Sequence, residues 1–187
     1  MSKLILPATT HDVILIDPPW SYTGQQDKWG AAAKFYDAME DRDIYNLPLT
    51  SLLNKPNVIF VWATGPKLHK AIRAIQKWKL SYRGVAFVWI KTKKDGTPIG
   101  AQGVRPSVVK PLTEFVLAAS TQPEGRPLKL SSESVVQTIF APKREHSQKP
   151  DEVMERIEQM YPEYSKLEMF ARTPRDGWDA WGNEVTW

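Results

Sequence analysis

A chain of 187 residues, 42% hydrophobic and 25% charged, has room for one well-filled α/β core but not for two ordinary domains. It has no cysteine, which excludes disulfide frameworks and thiolate metal sites, and His11, His69 and His146 are too far apart in sequence to form a ligand-spaced pair, so no bound metal is expected. Leu4-Ile5-Leu6 before a proline is shorter than a signal-peptide core and no stretch approaches membrane-spanning length, so the expected location is the cytoplasm, with no membrane partner.

The first element is the apolar run Val13-Ile14-Leu15-Ile16, which stops at Asp17-Pro18-Pro19-Trp20. Four consecutive aliphatic residues fit a strand buried on both faces, and prolines cannot continue its ladder because they lack the backbone donor. Asp17 is thereby placed at the carboxyl end of a strand, where open α/β sheets bind their ligands. Residues 21–34 are polar and contain glycine, with Tyr22, Trp29, Phe35 and Tyr36 interleaved or following, and read as a loop carrying aromatics over the site. Residues 41–53 are helical with a break at Pro48, and Val58 to Trp62 is a second buried strand. Gly65-Pro66 opens a helix with Leu68, Ile72 and Ile75 on one face, giving strand, turn and helix in βαβ order.

Gly84 to Ile90 forms a third strand ending at Lys91. The net charge is +4, and the segment from Lys91 to Lys110 holds Lys91, Lys93, Lys94, Arg105 and Lys110 against Asp95 alone, which accounts for the whole excess. Such a run is most often a solvated loop, yet a localised basic segment is also the footprint of phosphate binding. Glu114 to Ala119 and Val135 to Phe140 are the fourth and fifth strands. Lys149-Pro150-Asp151-Glu152 opens a helix, with proline in the first turn and two acids at the positive end of the dipole, that buries Val153, Ile157 and Met160 or Tyr161. Lys166 to Phe170 is the last strand, and residues 172–183 form a polar, tryptophan-rich tail. Eight tryptophans in all offer flat surfaces for bases, although most are expected in the core.

The corner at Asp17 suits alkylation of an aromatic amine. The exocyclic nitrogen of adenine is a weak nucleophile because its lone pair is delocalised into the ring. Two acceptors that draw it towards tetrahedral geometry would restore reactivity. The Asp17 carboxylate offers one, a carbonyl of the Pro18-Pro19 pair the other, and Trp20 would stack on the base. The carboxylate can also take up the released proton. An Asp-Pro-Pro turn equally serves just to end a strand, so the tetrapeptide alone does not decide between the two.

Further pieces occur in an order that does. Trp62-Ala63-Thr64-Gly65, Trp89-Ile90-Lys91-Thr92, Lys110-Pro111-Leu112-Thr113-Glu114, His146-Ser147-Gln148-Lys149-Pro150-Asp151-Glu152, Leu167-Glu168-Met169-Phe170-Ala171-Arg172 and Trp181-Gly182-Asn183-Glu184 come after the first motif. With them the chain resembles the MT-A family of adenine amino-methyltransferases over roughly residues 12–185. The resemblance implies a Rossmann-like α/β methyltransferase sheet in permuted order, catalytic motif first and cofactor strand last, with S-adenosylmethionine as cofactor. It implies catalytic roles for Asp17, Pro18, Pro19 and Trp20, a loop tyrosine at Tyr36, and a cofactor cleft lined by Lys149, Glu168 and Arg172, with Asn183 and Glu184 on the ribose hydroxyls. Lys149 beside a helix amino terminus is also a ready anion site. No counterpart of the acid that meets the cofactor's adenine in some members is found at Lys3 to Leu6.

The chain therefore reads as a single methyltransferase domain with a basic insertion at 91–110, acting on the 6-amino group of adenine in nucleic acid. Its substrate-binding residues are Tyr36, Lys91, Lys93, Lys94 and Arg105. DNA is favoured over RNA because the compact chain carries no appended RNA-binding module, which is the pattern of a bacterial or phage enzyme. The alternatives are an RNA adenine methyltransferase and a non-catalytic scaffold of the same fold; a scaffold would be expected to have lost the Asp17-Pro18-Pro19-Trp20 motif. Base choice must come from loops such as 91–110 and 121–134 or from a second subunit, so a homodimer is a candidate state.

Overall fold

The structure, a computed structural model, describes residues 6–21, 39–100, 108–144, 148–183 and 185. Its centre is β1 (His11–Ile16), in which Val13, Ile14, Leu15 and Ile16 are each at most 2% exposed. A strand buried on both faces has no polar side to alternate with, which is why its sequence is a continuous apolar run. Around it the chain builds α1 (Asp41–Tyr45), β2 (Leu53–Thr64), α2 (Leu68–Lys77), β3 (Ser81–Thr92), β4 (Thr113–Ser120), β5 (Thr138–Pro142), α3 (Glu152–Met160), β6 (Lys166–Met169) and β7 (Asp179–Trp181). The seven strands form one sheet in the order β5-β3-β4-β2-β1-β6-β7.

Only β4 runs against its neighbours β2 and β3; the other adjacent pairs are parallel. One edge of the sheet therefore collects the carboxyl ends of six strands and the amino end of β4. Alternate residues of the long strands point to opposite faces. Ile59, Val61 and Ala63 join Ala71, Ala74 and Ile75 of α2 in one core, while Phe60, Trp62 and Phe87 join Val153 and Ile157 of α3 in the other. Helices thus cover both faces, and each buried aliphatic side chain contributes about 1.5–3 kcal/mol. After β1 the chain fills the sheet to one side as far as β5, then crosses back through α3 to lay β6 on β1's other side. The crevice between the ends of β1 and β6 is the topological switch point, where such sheets bind ligands. None of the described helices is long and apolar enough to cross a membrane.

Several elements differ from the sequence expectation: β3 runs from Ser81 to Thr92 rather than Gly84 to Ile90, and the helix expected over 41–53 stops at Tyr45, with a short 3-10 turn at Leu49–Leu52. β2 begins at Leu53, not Val58, because its pairing with β1 jumps from His11↔Leu53 to Val13↔Val58. The extra residues bulge out with Lys55 and Pro56 exposed, so a proline is accommodated where it needs no ladder partner. β5 starts at Thr138 rather than Val135 and extends to Pro142. The expected last strand is followed by another, because Asp179-Ala180-Trp181 in the polar tail pairs parallel with β6. That docking is tight: a Cβ on Gly182 would lie 2.2 Å from the Ala171 carbonyl oxygen, so only glycine lets the two strand ends approach. Phe170, next to this contact, adopts a left-handed φ of 62°, a conformation that bulky residues hold only when surrounding packing imposes it.

Candidate active site

Asp17 follows the last residue of β1, and its N–H reaches towards the Met169 carbonyl at the end of β6 (3.5 Å). The prolines then turn the chain sharply: Trp20 N–H donates to the Pro18 carbonyl (2.8 Å) and Met39 N–H to the Pro19 carbonyl (2.9 Å). Each carbonyl retains a lone pair for a further donor. The Ser21 carbonyl accepts from Lys67 Nζ, a lysine only 6% exposed that ties the corner to the turn after β2.

Lys149, just ahead of α3, donates to Asp17 Oδ2 at 2.7 Å and lies 3.6 Å from Glu114 Oε2. Glu114 Oε1 in turn accepts from Lys91 Nζ at 2.5 Å. Four charges of alternating sign therefore run from the end of β1 through the start of α3 and the start of β4 to the end of β3. Two indoles underlie the cations: Lys149 Nζ sits 5.3 Å from the centre of Trp62 and Lys91 Nζ 4.9 Å from that of Trp89. The two rings meet edge to face at 6.3 Å, and Trp89 is pinned by its Nε1–H donating to the Ala141 carbonyl (2.9 Å). Such cation–ring contacts are worth about 0.5–1 kcal/mol each when exposed and more when desolvated.

The carboxyls respond to this setting in different directions. The Asp17 side chain keeps 35% of its surface open, yet it is packed deeply enough that desolvation pushes its pKa above the usual range, opposing the pull of Lys149 and reinforced by the repulsion of Glu114. Burial also works to raise Glu114, but Lys149 and Lys91 outweigh it and hold this carboxyl below its usual range. On β6, Glu168 is paired in register with Leu15 of β1 and with Ala180 of β7. Burial, and then the neighbouring Asp17, push it up to about 7. The crevice thus holds one anchored carboxylate at Asp17 and a second acid that changes charge near neutrality.

The structure brings Asp17, Lys149, Lys91 and Glu168 to this edge, and Arg172 acts on the charge of Asp17. Asn183 is exposed just beyond β7, whereas Lys93 and Lys94 occupy an exposed turn after β3, closed by hydrogen bonds between Lys93 and Thr97 (2.8 Å) and between Gly96 and Lys93 (3.0 Å). Tyr36, Arg105 and Glu184 lie outside the described residues. Trp20 is 5% exposed and belongs to the core beneath α2, so little of its ring is available for stacking on a base; its Nε1–H has no partner among the described residues. Lys149, expected at a cofactor carboxylate, is engaged with Asp17 itself. Glu114, Lys67, Trp62 and Trp89 also stand at the site, and sequence reasoning assigns none of them to it. Three of them carry a signal that could have found them: Glu114, Trp62 and Trp89 all occupy strand ends within the ordered motif pieces.

The family model described as MT-A70 matches residues 11–184. Among curated proteins, the chain is 30% identical to a protein from Mycoplasma sp named type II methyltransferase M.MunI, over 96% of this chain and 80% of that one. It is 26% identical to human N(6)-adenine-specific methyltransferase METTL4 and 26% identical to the N6-methyladenosine RNA methyltransferase MTA1 of Pyricularia oryzae. Those matches cover 99% and 97% of this chain but only 39% and 49% of the relatives.

Proposed function

The chain belongs to the MT-A70 family, and from that premise we propose that it transfers a methyl group from S-adenosylmethionine to the 6-amino group of adenine, in DNA in preference to RNA. The observation that carries this reading is the corner at the end of β1, where a carboxylate bonded to Lys149 is followed directly by two prolines whose carbonyls the turn holds by backbone hydrogen bonds, at the switch point of the sheet.

The residues of the crevice fit the cofactor by their chemistry. Lysine has three donors, so Lys149 can hold a carboxylate while still bonded to Asp17, and Arg172 adds a second cation beside it. Glu168 offers acceptors for an ammonium or for ribose hydroxyls, and Asn183, just beyond β7, is proposed for the same hydroxyls together with Glu184, which lies outside the described residues. Bound there, S-adenosylmethionine would supply an electrophilic methyl group, its sulfur leaving with the bonding electron pair. Asp17 and a carbonyl of Pro18 or Pro19 accept from the two N–H groups of the target amine and localise its lone pair on nitrogen. As the carbon–nitrogen bond forms, the amine becomes acidic and its proton passes to Asp17 or to water. Lys149, bridging the catalytic carboxylate and the cofactor, sets methyl donor and acceptor in one geometry.

DNA is favoured because the relative matched at 30% over most of both chains is named a type II methyltransferase. Relatives named for RNA or adenosine match over less of their own length, and all but one of them at lower identity; they support the second reading, an RNA substrate. The intact Asp17-Pro18-Pro19-Trp20 motif speaks against a non-catalytic subunit. The enzyme is read as one cytoplasmic methyltransferase unit, with base choice coming from its loops or from a second copy. The experiment is label transfer from the cofactor to DNA and RNA of one sequence: DNA is expected to be the better acceptor, and label in RNA alone would reverse the preference.

Lys93 and Lys94 are proposed to bind phosphates, since their turn follows the strand carrying Lys91 into the site. Replacing both by Gln is expected to weaken binding to all DNA sequences alike and to flatten the dependence of log affinity on log salt by up to about 0.9 for each phosphate no longer neutralised. Cofactor affinity should not change, and an unaltered salt slope would return the turn to solvent.

A further inference from the structure

Glu114 occupies a position only β4 can supply. Because this strand runs against the others, its amino end reaches the edge where they place their carboxyl ends, and Glu114 faces Thr64 on β2 and Trp89 on β3. It is 9% exposed, and a carboxylate so placed is costly unless partnered. Its two oxygens are divided between two lysines, Oε1 to Lys91 at 2.5 Å and Oε2 to Lys149 at 3.6 Å. Lys149 is the residue that bonds Asp17.

We propose that Glu114 is a positioning residue for methyl transfer, holding Lys149 between two carboxylates so that Asp17 keeps its orientation and an acceptor oxygen for the target amine. The inference rests on the methyltransferase reading of the same site. A lysine side chain has many rotamers, and Asp17 alone would not fix this one. Glu114 on one side, Asp17 on the other and the Trp62 ring beneath together narrow the arrangements open to Lys149. Lys149 already bonds Asp17 Oδ2 at 2.7 Å; without the second carboxylate at 3.6 Å, nothing on that side keeps the ammonium from swinging across to the other Asp17 oxygen, which the amine needs. Lys91 completes the balance by neutralising Glu114 from the far side, held over Trp89.

The charged groups acting on Asp17 are Lys149, Glu114, Arg172 and, from β6, Glu168. Glu114 repels the ionised Asp17, so its removal lowers the pH at which Asp17 ionises. Glu114→Gln, which keeps the shape, is therefore expected to fold and to bind cofactor within a few-fold of the wild type. Its turnover should fall by about 10²-fold, the scale of a small misplacement at a reacting centre. The acid limb of its pH–rate profile should move to lower pH, and Glu114→Asp should recover part of the rate. If the single variant fails to fold, the neutral pair Lys91→Gln/Glu114→Gln, which leaves no buried charge unpartnered at this end, is read for the same shift of the limb. Wild-type turnover in Glu114→Gln, or a lost rate with an unmoved acid limb and a lowered Tm, overturns the role and makes Glu114 a buried structural ion. A wild-type chain that methylates no adenine overturns the methyltransferase reading itself, whereas a methylating wild type matched by Glu114→Gln overturns the positioning role alone.

Discussion

Asp17→Ala is expected to lower methyl transfer to less than about a hundredth of the wild type, at the lower end of what a positioned acid–base group contributes. The change removes both the acceptor that localises the amine's lone pair and the base nearest the departing proton. Cofactor affinity should stay within a few-fold, because Lys149 keeps Glu114 as a counter-ion when Asp17 is gone. Asp17→Asn separates the two tasks. The amide oxygen still accepts one hydrogen bond but takes up no proton, so its rate should lie between those of the wild type and of the alanine variant. In the wild type the rate should rise with pH as Asp17 ionises. Burial raises the pKa of this carboxyl, so that rise should come at higher pH than for an ordinary aspartate. Calorimetry with cofactor alone, beside initial rates across pH, checks each part, and turnover above a hundredth in Asp17→Ala would remove this residue from the chemistry.

Lys149→Met is expected to affect binding and turnover together. The methionine fills the volume over Trp62 but leaves Asp17 and Glu114 without the cation between them. Loss of the charged hydrogen bond proposed between Lys149 and the cofactor should weaken cofactor binding by about 1–3 kcal/mol. The ammonium pulls Asp17 down, so its removal lets burial and Glu114 raise that carboxyl further, and the acid limb should move to higher pH. This is opposite in sign to the shift expected for Glu114→Gln, and the pair of shifts separates a working charge chain from two independent losses of packing. An unchanged dissociation constant with an unmoved limb would remove Lys149 from both cofactor binding and the chemistry.

Much of the site is legible in the sequence because its strand is so plain. Val13 to Ile16 is buried on both faces, and the chain announces this by four apolar residues that stop at a carboxylate and two prolines. The ends of β2 and β3 are legible too, since Gly65-Pro66 and the charged turn after Thr92 close their strands by local chemistry. The conjunction of those ends is a different matter. Asp17 and Lys149 are 132 positions apart, and only the crossing of α3 to the far side of β1 brings them together. Glu114 is hidden for a related reason: it begins a strand, and it reaches the site only because β4 is antiparallel. The stretch Asp179-Ala180-Trp181 carries no local signal, being three residues without alternation in a polar tail, and it is a strand through the pairing β6 offers. Trp20, read as a stacking surface from its place in the motif, is instead drawn into the core by the turn at Pro19.

The identity of the base that receives the methyl group tests the role of the Asp17 corner most directly. The purified chain, S-adenosylmethionine and unmethylated DNA are incubated, the DNA is digested to nucleosides, and the products are separated by mass. A carboxylate and a carbonyl that accept from one exocyclic amine beside a purine ring predict N6-methyl-2′-deoxyadenosine, formed at less than about a hundredth of the wild-type rate when Asp17→Ala replaces the wild type. Methylated cytosine, or methylated adenine formed equally well without Asp17, would contradict it.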